Sequence, residues 1–387
     1  MPFAQRPAMG EQSDRGDQRI MKLRVIVLPG DGIGPEVTRQ AVAVLQAVSD
    51  VCGYDFRLES HRIGGAAIEH DGTPLPERTL AACLQADAVL LGAVGARKYD
   101  DCKGEMRPEA GLLALRQALG GFANLRPVRT YEAVADCSPL REDVIRGADI
   151  LIVRELLGGL YFAQPRAMDP DGLSAYNTMR YHVDEVERVA HIAFQEAQRR
   201  RKHLTSVDKA NVLETSQLWR ETVKRVGREY PDVTLDHCYV DSFALQMITT
   251  PTSYDVVLTE NLFGDILSDE AAVLSGSLGV LASASVGGRV ELYEPVHGSA
   301  PDIAGRNLAN PLGAIQSAAL LLRYTAGLYN ESERIMESVE QTLSRGLVTR
   351  DLAGRRKRPA SSTDAIGQHV VETVTDLLQM HMAYHAV

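Results

Sequence analysis

Short unbroken apolar runs alternate along this chain with longer stretches in which apolar residues return every three or four positions. The runs Leu23 to Leu28, Ala88 to Leu91, Ile150 to Val153 and Val256 to Leu258, and the neighbourhood of Ser206 and Val207, have the length and branched content of buried strands. The clearest helical period covers Asp184 to Arg200. Val186, Val189, Ala190, Ala193 and Ala197 fall on one face of that stretch, which leaves Glu185, Glu187 and Arg188 for water. Strands alternating with helices predict an α/β fold with a largely parallel sheet. No internal repeat or long linker breaks the pattern, so composition alone marks no domain boundary.

A length of 387 residues exceeds what one simple core accommodates and predicts two domains or one large α/β unit. The net charge of −10 argues against a nucleic-acid surface. Two short basic runs, Arg199 to Lys202 and Arg355 to Arg358, read as solvated ends; the first closes a helix, where cations suit the dipole. Five cysteines without paired spacing (Cys52, Cys83, Cys102, Cys137, Cys238) point to free thiols in a reducing compartment, hence to the cytoplasm. No run of about 18 apolar residues is present, so no membrane span is expected. Residues 1 to 20 mix arginines with acids, unlike a targeting peptide, and are expected to be a disordered leader before Met21, which has the look of an alternative start.

Chemistry concentrates in a few segments. Asn261 to Ala272 reads as a helix, and Asp265 and Asp269, four apart, share one of its faces. Like charges at that spacing repel unless a cation sits between them, and paired hard oxygens suit Mg²⁺ or Mn²⁺; the alternative is a solvated acidic face. Leu28 to Glu36 (LPGDGIGPE) is a glycine-rich strand-to-helix turn, but Pro35 stands where the dinucleotide fingerprint needs glycine or alanine, so the Rossmann reading fails. Arg116, Arg126 and Arg154 suit bidentate carboxylate recognition, or ordinary ion pairs. Lys209, after a short strand in TSVDKANVLE, is a candidate base beside cations. Tyr161 in GGLYFAQP is a candidate acid, and Asp241, read as closing a strand, a third metal carboxylate. The polar loop Glu294 to Pro311 holds His297, Gly298, Ser299, Asp302 and Asn310, residues suited to adenosine and ribose; an acid there accepts from a 2′-hydroxyl and repels a 2′-phosphate.

Taken in order, PGDGIGPE, GLLALR, ANLRP, VRELLGGLYF, DKANVLE, NLFGDILSD and HGSAPDIAG resemble the β-decarboxylating dehydrogenases, the isocitrate/isopropylmalate dehydrogenase family, from Met21 nearly to the C-terminus. The resemblance implies an isopropylmalate/isocitrate dehydrogenase-like two-domain α/β fold with a sheet through both domains. A discontinuous NAD-binding domain (21–121 plus 276–387) would enclose a central domain (122–275) that supplies a dimer arm and catalytic residues. It implies a homodimer with shared active sites. Arg116, Arg126 and Arg154 would hold substrate carboxylates, and Asp241, Asp265 and Asp269 would hold Mg²⁺ or Mn²⁺. Asp241, also in contact with substrate, and the base Lys209 would come from the partner subunit. Tyr161 would protonate carbon after CO₂ leaves. Glu109, His297, Gly298, Ser299, Ala300, Asp302 and Asn310 would bind NAD, with Asp302 favouring it over NADP.

Leu112, Leu113 and Val212 would line the substrate side chain. That apolar lining suits an isopropyl group, whereas an isocitrate enzyme needs a polar partner for a further carboxylate; the implied activity is oxidative decarboxylation of 3-isopropylmalate in leucine biosynthesis. The same chemistry on another 3-substituted malate, on tartrate or D-malate is the alternative. Homoisocitrate is opposed by Leu112 and Leu113. A silent regulatory subunit is opposed by the presence of Lys209, Tyr161 and the aspartates. Four positions depart from the usual family residues: Leu157, Ala282, Ser242 and Phe243.

Overall fold

The computed structural model describes residues 20–99, 101–102 and 104–385. The leader expected at 1–20 lies, apart from Ile20, outside the described residues. The strands, in chain order, are β1 (Lys22–Gly30), β2 (Asp55–Ser60), β3 (Ala88–Ala93), β4 (Ala123–Arg129), β5 (Asp149–Glu155), β6 (Arg166–Met168), β7 (Ala175–Asn177), β8 (His203–Asp208), β9 (Thr234–Tyr239), β10 (Val256–Thr259), β11 (Ala282–Val286) and β12 (Glu291–Pro295). Two compact units result. Of the described residues, one unit is drawn from those up to Leu119, Gly279–Ala284 and those from Arg289 onward, the other from Gly120–Leu278 and Ser285–Gly288, so β11 begins in the first unit and ends in the second.

In the first unit the strand order is β2-β1-β3-β12-β11. β1 pairs in parallel with β2 and β3, and β3 with β12. Every residue of β3 is buried, as a parallel strand covered on both faces requires, which is why it reads as an unbroken apolar run. The helix Gly34–Cys52 follows β1 directly. Pro35 sits in its first turn and Gly53, at φ 69°, stops it. Its buried stripe of Val37, Ala41, Val44, Leu45 and Val48 is worth about 1.5–3 kcal/mol per large side chain removed from water. β2 escaped the sequence reading because DFRLES is mostly polar. It is an edge strand, tied to β1 by Arg24, whose Nε and Nη2 each reach Glu59 at 2.9 Å.

In the second unit β4-β5-β10-β8-β9 lie in that order. The pairs β5–β10, β10–β8 and β8–β9 are parallel, whereas β4 and β5 are antiparallel. A separate exposed ribbon, β6 with β7, is antiparallel too. The helix read at Asp184 to Arg200 spans Val183–Arg199, and His182 and Glu185 form a capping box at its start. Its five expected core residues are fully buried. Arg188, expected in water, instead packs over the Phe122 ring, 4.5 Å from its centroid. Two departures from family usage are absorbed by packing: Phe243 is buried edge-on to Tyr254 at 4.9 Å, and Ala282 lies buried at the start of β11.

The basic run Arg199 to Lys202 is committed to ion pairs, with Arg200 reaching Asp255 at 2.7 Å and Lys202 reaching Asp232 at 3.2 Å. All five cysteines are free, and burial pushes the thiols of Cys52 and Cys83 up to about 11 and about 12. No described helix is long and apolar enough to cross a membrane.

Candidate active site

Side chains two apart on a strand point the same way, so Asn124 and Arg126 share a face of β4. Antiparallel register sets Asn124 opposite Arg154 of β5. Three polar side chains therefore meet on one face, and the helix Asn261–Glu270 packs against it. Its approach is fixed at Gly264. A Cβ there would stand 2.7 Å from Cγ of Arg154, a distance no larger residue tolerates.

Arg126 is buried. It donates Nε to Asn124 Oδ1 at 2.7 Å and Nη1 to Ser268 Oγ at 2.6 Å. Its guanidinium also stands 3.6 Å from the carboxylates of both Asp265 and Asp269. Arg154, 2% exposed, pairs with Asp265 and gives Nε and Nη2 to Asn261 Oδ1 at 3.1 and 2.7 Å. Tyr161, in the short turn Gly159–Tyr161, donates its hydroxyl to Asp265 Oδ2 at 2.8 Å. The two aspartates do repel, since the charge of Asp265 helps to raise the Asp269 carboxyl, but the protein's own Arg126 stands 3.6 Å from each and Arg154 adds a second positive charge beside Asp265.

This setting tunes both acids. Burial, reinforced by the hydrogen bond to Asp265, pushes the Tyr161 phenol up to about 12, so it stays protonated at neutral pH. Burial raises the Asp269 carboxyl despite the pull of Arg126. Beneath them, burial pushes the Glu155 carboxyl up to about 7, although it accepts from the backbone N–H groups of Leu157 and Gly158 at 2.9 and 2.8 Å. The backbone of Leu157, a third family departure, is held by this contact.

Lys209 and Asp241 form a second group. Lys209 follows β8 directly, and its Nζ lies 2.6 Å from Asp241 Oδ1. The ammonium holds the Asp241 carboxyl below its usual range. Asp241 does not close a strand as expected: β9 ends at Tyr239, and Asp241 sits in the first turn of the helix Val240–Thr249, where a negative charge suits the dipole. Val212, on the turn that Lys209 opens, is 62% exposed. Among the described residues no group of three or more His, Cys, Asp or Glu side chains stands together as a metal-holding set.

The remaining candidates belong to the first unit. Arg116 of the helix Pro108–Leu119 is largely buried against Glu294, with Nη2 2.6 Å from Oε1. Leu112 packs partly on the core around Leu28, Leu91 and Leu115; Leu113 is half-buried. The loop after β12 is seated by the glycine-rich turn. Ile33 N–H donates to Ser299 O at 2.8 Å, and a Cβ on Gly32 would fall 2.0 Å from that oxygen. The glycines thus permit backbone contact, and the buried Asp31 carboxylate holds Gly65, Ala66 and Gly95 N–H groups at 2.8 to 2.9 Å.

Glu109 and Ser299 both border Gly95, Gly298 has open space around it, and Ala300 adopts a φ of 38°. Asp302 is ion-paired with Arg97. His297 holds Gly298 O at 2.9 Å through Nδ1, burial lowers its pKa, and its buried Nε2 has no partner. Asn310 is already committed, taking Leu312 N–H and giving to Asp351 at 3.0 and 2.9 Å. Sequence reasoning gave no role to Asn124, Glu155, Asn261, Gly264 or Ser268, although Gly264 and Ser268 flank the aspartates it singled out. Asn124 lies two positions before Arg126, but ANLRPVR is too polar to read as a strand, so that relation was not legible.

The model of the isocitrate/isopropylmalate dehydrogenase family matches residues 24–370. A 3-isopropylmalate dehydrogenase of Salinibacter ruber is 57% identical over 349 residues, covering 90% of this chain and 94% of that protein. The 3-isopropylmalate dehydrogenase of Bacillus subtilis is 52% identical over 354 residues, covering 90% and 96%. Among solved structures, isocitrate dehydrogenase from Methylococcus capsulatus is similar with a TM-score of 0.81 at 35% identity, covering 91% of this chain and 99% of that one. A β-decarboxylating dehydrogenase from Thermococcus kodakarensis gives 0.76 at 36%, covering 92% and 98%. With its α/β fold and its gathered arginines, tyrosine and aspartates, the chain belongs to the isocitrate/isopropylmalate dehydrogenase family of oxidoreductases.

Proposed function

We propose that the protein catalyses the NAD-dependent oxidative decarboxylation of 3-isopropylmalate to 4-methyl-2-oxopentanoate and CO₂, in leucine biosynthesis, as a homodimer with shared sites. The gathering of Arg126, Arg154, Tyr161, Asp265 and Asp269 on one face of the second unit supports this most directly. It joins carboxylate-binding guanidiniums, a protonated phenol and two hard-oxygen donors. Relatives named as 3-isopropylmalate dehydrogenases supply the substrate.

The residues fit both absent groups. Asp265 and Asp269 present carboxylates one helical turn apart, the donor chemistry that Mg²⁺ or Mn²⁺ takes, with Asp241 as the partner's third. The orphaned His297 Nε2 beside open Gly298 fits a nucleotide. Bound metal supplies Lewis acidity toward the developing enolate, and NAD supplies the hydride acceptor. The chain supplies the rest. Arg116, Arg126 and Arg154 anchor carboxylates. Lys209, contributed with Asp241 by the partner, takes the C2 hydroxyl proton as hydride leaves C2. The β-keto acid loses CO₂, and Tyr161 delivers its proton to the carbon that carried the carboxylate. Lys209 Nζ and Asp241 Oδ1, 2.6 Å apart, enter the partner's site together. Val212, exposed on the Lys209 turn, enters the partner's site with it and meets Leu112 and Leu113 around the isopropyl group.

NADH production across a panel of substituted malates, with Mg²⁺ or Mn²⁺, tests this. 3-Isopropylmalate is expected to be best, with 3-ethylmalate about 10- to 200-fold poorer. Isocitrate is expected to fail, since its extra carboxylate meets leucine without a partner. The double change Leu112→Ala, Leu113→Ala should flatten the preference. A wild type that prefers isocitrate or D-malate overturns the substrate. For the cofactor, kcat/KM should favour NAD over NADP through the Asp302 charge. Arg97 offsets that charge, so Arg97→Ala should widen the preference; equal use of both cofactors by the wild type refutes the NAD assignment.

A further inference from the structure

Asn261 is fully buried at the first position of its helix, and every hydrogen-bonding position of its side-chain amide is filled. Oδ1 takes two bonds from the Arg154 fork, at 3.1 and 2.7 Å. Nδ2 gives two, to Leu156 O at 3.0 Å and Gly158 O at 3.1 Å. An amide accepts two and donates two, so the site is saturated. The amide cannot turn over, because an NH₂ facing guanidinium N–H groups and an oxygen facing two carbonyls would satisfy none of the four. The backbone is fixed as well, since Asn261 N–H donates to the buried Tyr181 hydroxyl at 3.0 Å.

The two sides of this amide lead to different chemistry. One holds Arg154, the guanidinium that also meets Asp265. The other holds Leu156 to Gly158, the segment running straight into the turn that carries Tyr161. From this geometry we infer that Asn261 is a positioning residue, which sets the substrate-binding arginine and the proton-donating tyrosine relative to each other. The inference rests on the function proposed above, and it assigns that site a residue touching neither substrate nor cofactor.

The two halves can be separated by substitution. Asn261→Asp keeps an acceptor for Arg154 but points an oxygen at two carbonyls, so it should leave KM for the malate near its wild-type value. Its kcat should fall about 10- to 100-fold, the scale of losing well-placed hydrogen bonds in a buried site. Asn261→Ala removes both halves and should also raise KM about 10-fold or more, since hydrogen bonds to charged groups are the stronger kind. The assay is steady-state kinetics on purified full-length dimer, beside wild type, on whichever panel malate the wild type turns over best. Circular dichroism and Tm confirm folding. A lowered Tm with kcat and KM unchanged in both variants makes Asn261 merely structural and overturns the inference. If Asn261→Ala does not fold, Asn261→Asp decides alone: a fall carried by kcat supports the inference, and wild-type constants overturn it. Wild type inactive on every malate fails the proposed function, and the positioning role falls with it; active wild type with indifferent variants fails the positioning role only.

Discussion

Lys209→Ala is expected to lower kcat about 10²–10⁴-fold, the usual scale for a positioned proton-transfer group. Folding should survive, because the Lys209–Asp241 pair is well exposed to water on the Asp241 side, where ion pairs add little stability. Lys209→Arg sharpens the test. Arginine preserves the charge but cannot give up a proton, so it should be as inactive as alanine if the residue is a base, and largely active if only its charge matters. Subunit exchange locates the residue. A Lys209→Ala dimer mixed with a Tyr161→Phe dimer should regain activity, since one of the two sites in the heterodimer would have both groups intact. Near-normal turnover by Lys209→Ala removes it as the base, and failure to recover activity despite demonstrated exchange puts both residues in one subunit.

What could be read in advance followed the strength of each physical signal. β3 and β5 were plain because strands buried on both faces demand unbroken apolar runs. β2 and β4 were not, since DFRLES and ANLRPVR interleave polar residues whose partners come from distant segments, and β9 was legible only as a strand before Asp241, with its end misplaced. Arg126 illustrates the second difficulty. Its spacing says nothing of Asp265, 139 positions away by numbering, yet register and the Gly264 contact bring their charges to 3.6 Å. Asn261 was invisible for the same reason: an amide at a helix start reads as a cap, whereas Glu260 caps this helix through Leu262 and Phe263 N–H groups. The aspartate pair was legible as a pair because four-residue spacing is local; the arginine that neutralises it was not.

That neutralisation shapes the expected response to metal removal. EDTA should abolish turnover, and Mg²⁺ or Mn²⁺ should restore it, if Asp265 and Asp269 hold the ion that would supply Lewis acidity in the proposed reaction. Tm should change little in the same titration, since Arg126 and Arg154 already offset the carboxylates without an ion. The two aspartates should then part company. Asp265 takes bonds from Arg154 and Tyr161, so Asp265→Asn should lower Tm as well as activity. Asp269 meets Arg126 only at 3.6 Å, and its carboxyl is held above its usual pKa. A raised carboxyl favours the fold below its unfolded pKa and loses that contribution as pH rises through the folded value. Its ionised form therefore gives the fold no support, and Asp269→Asn should keep or slightly raise Tm while shifting the metal concentration for half-maximal activity upward. Full turnover in metal-free buffer, or an Asp269→Asn protein with an unchanged metal requirement, would remove this helix from the metal site.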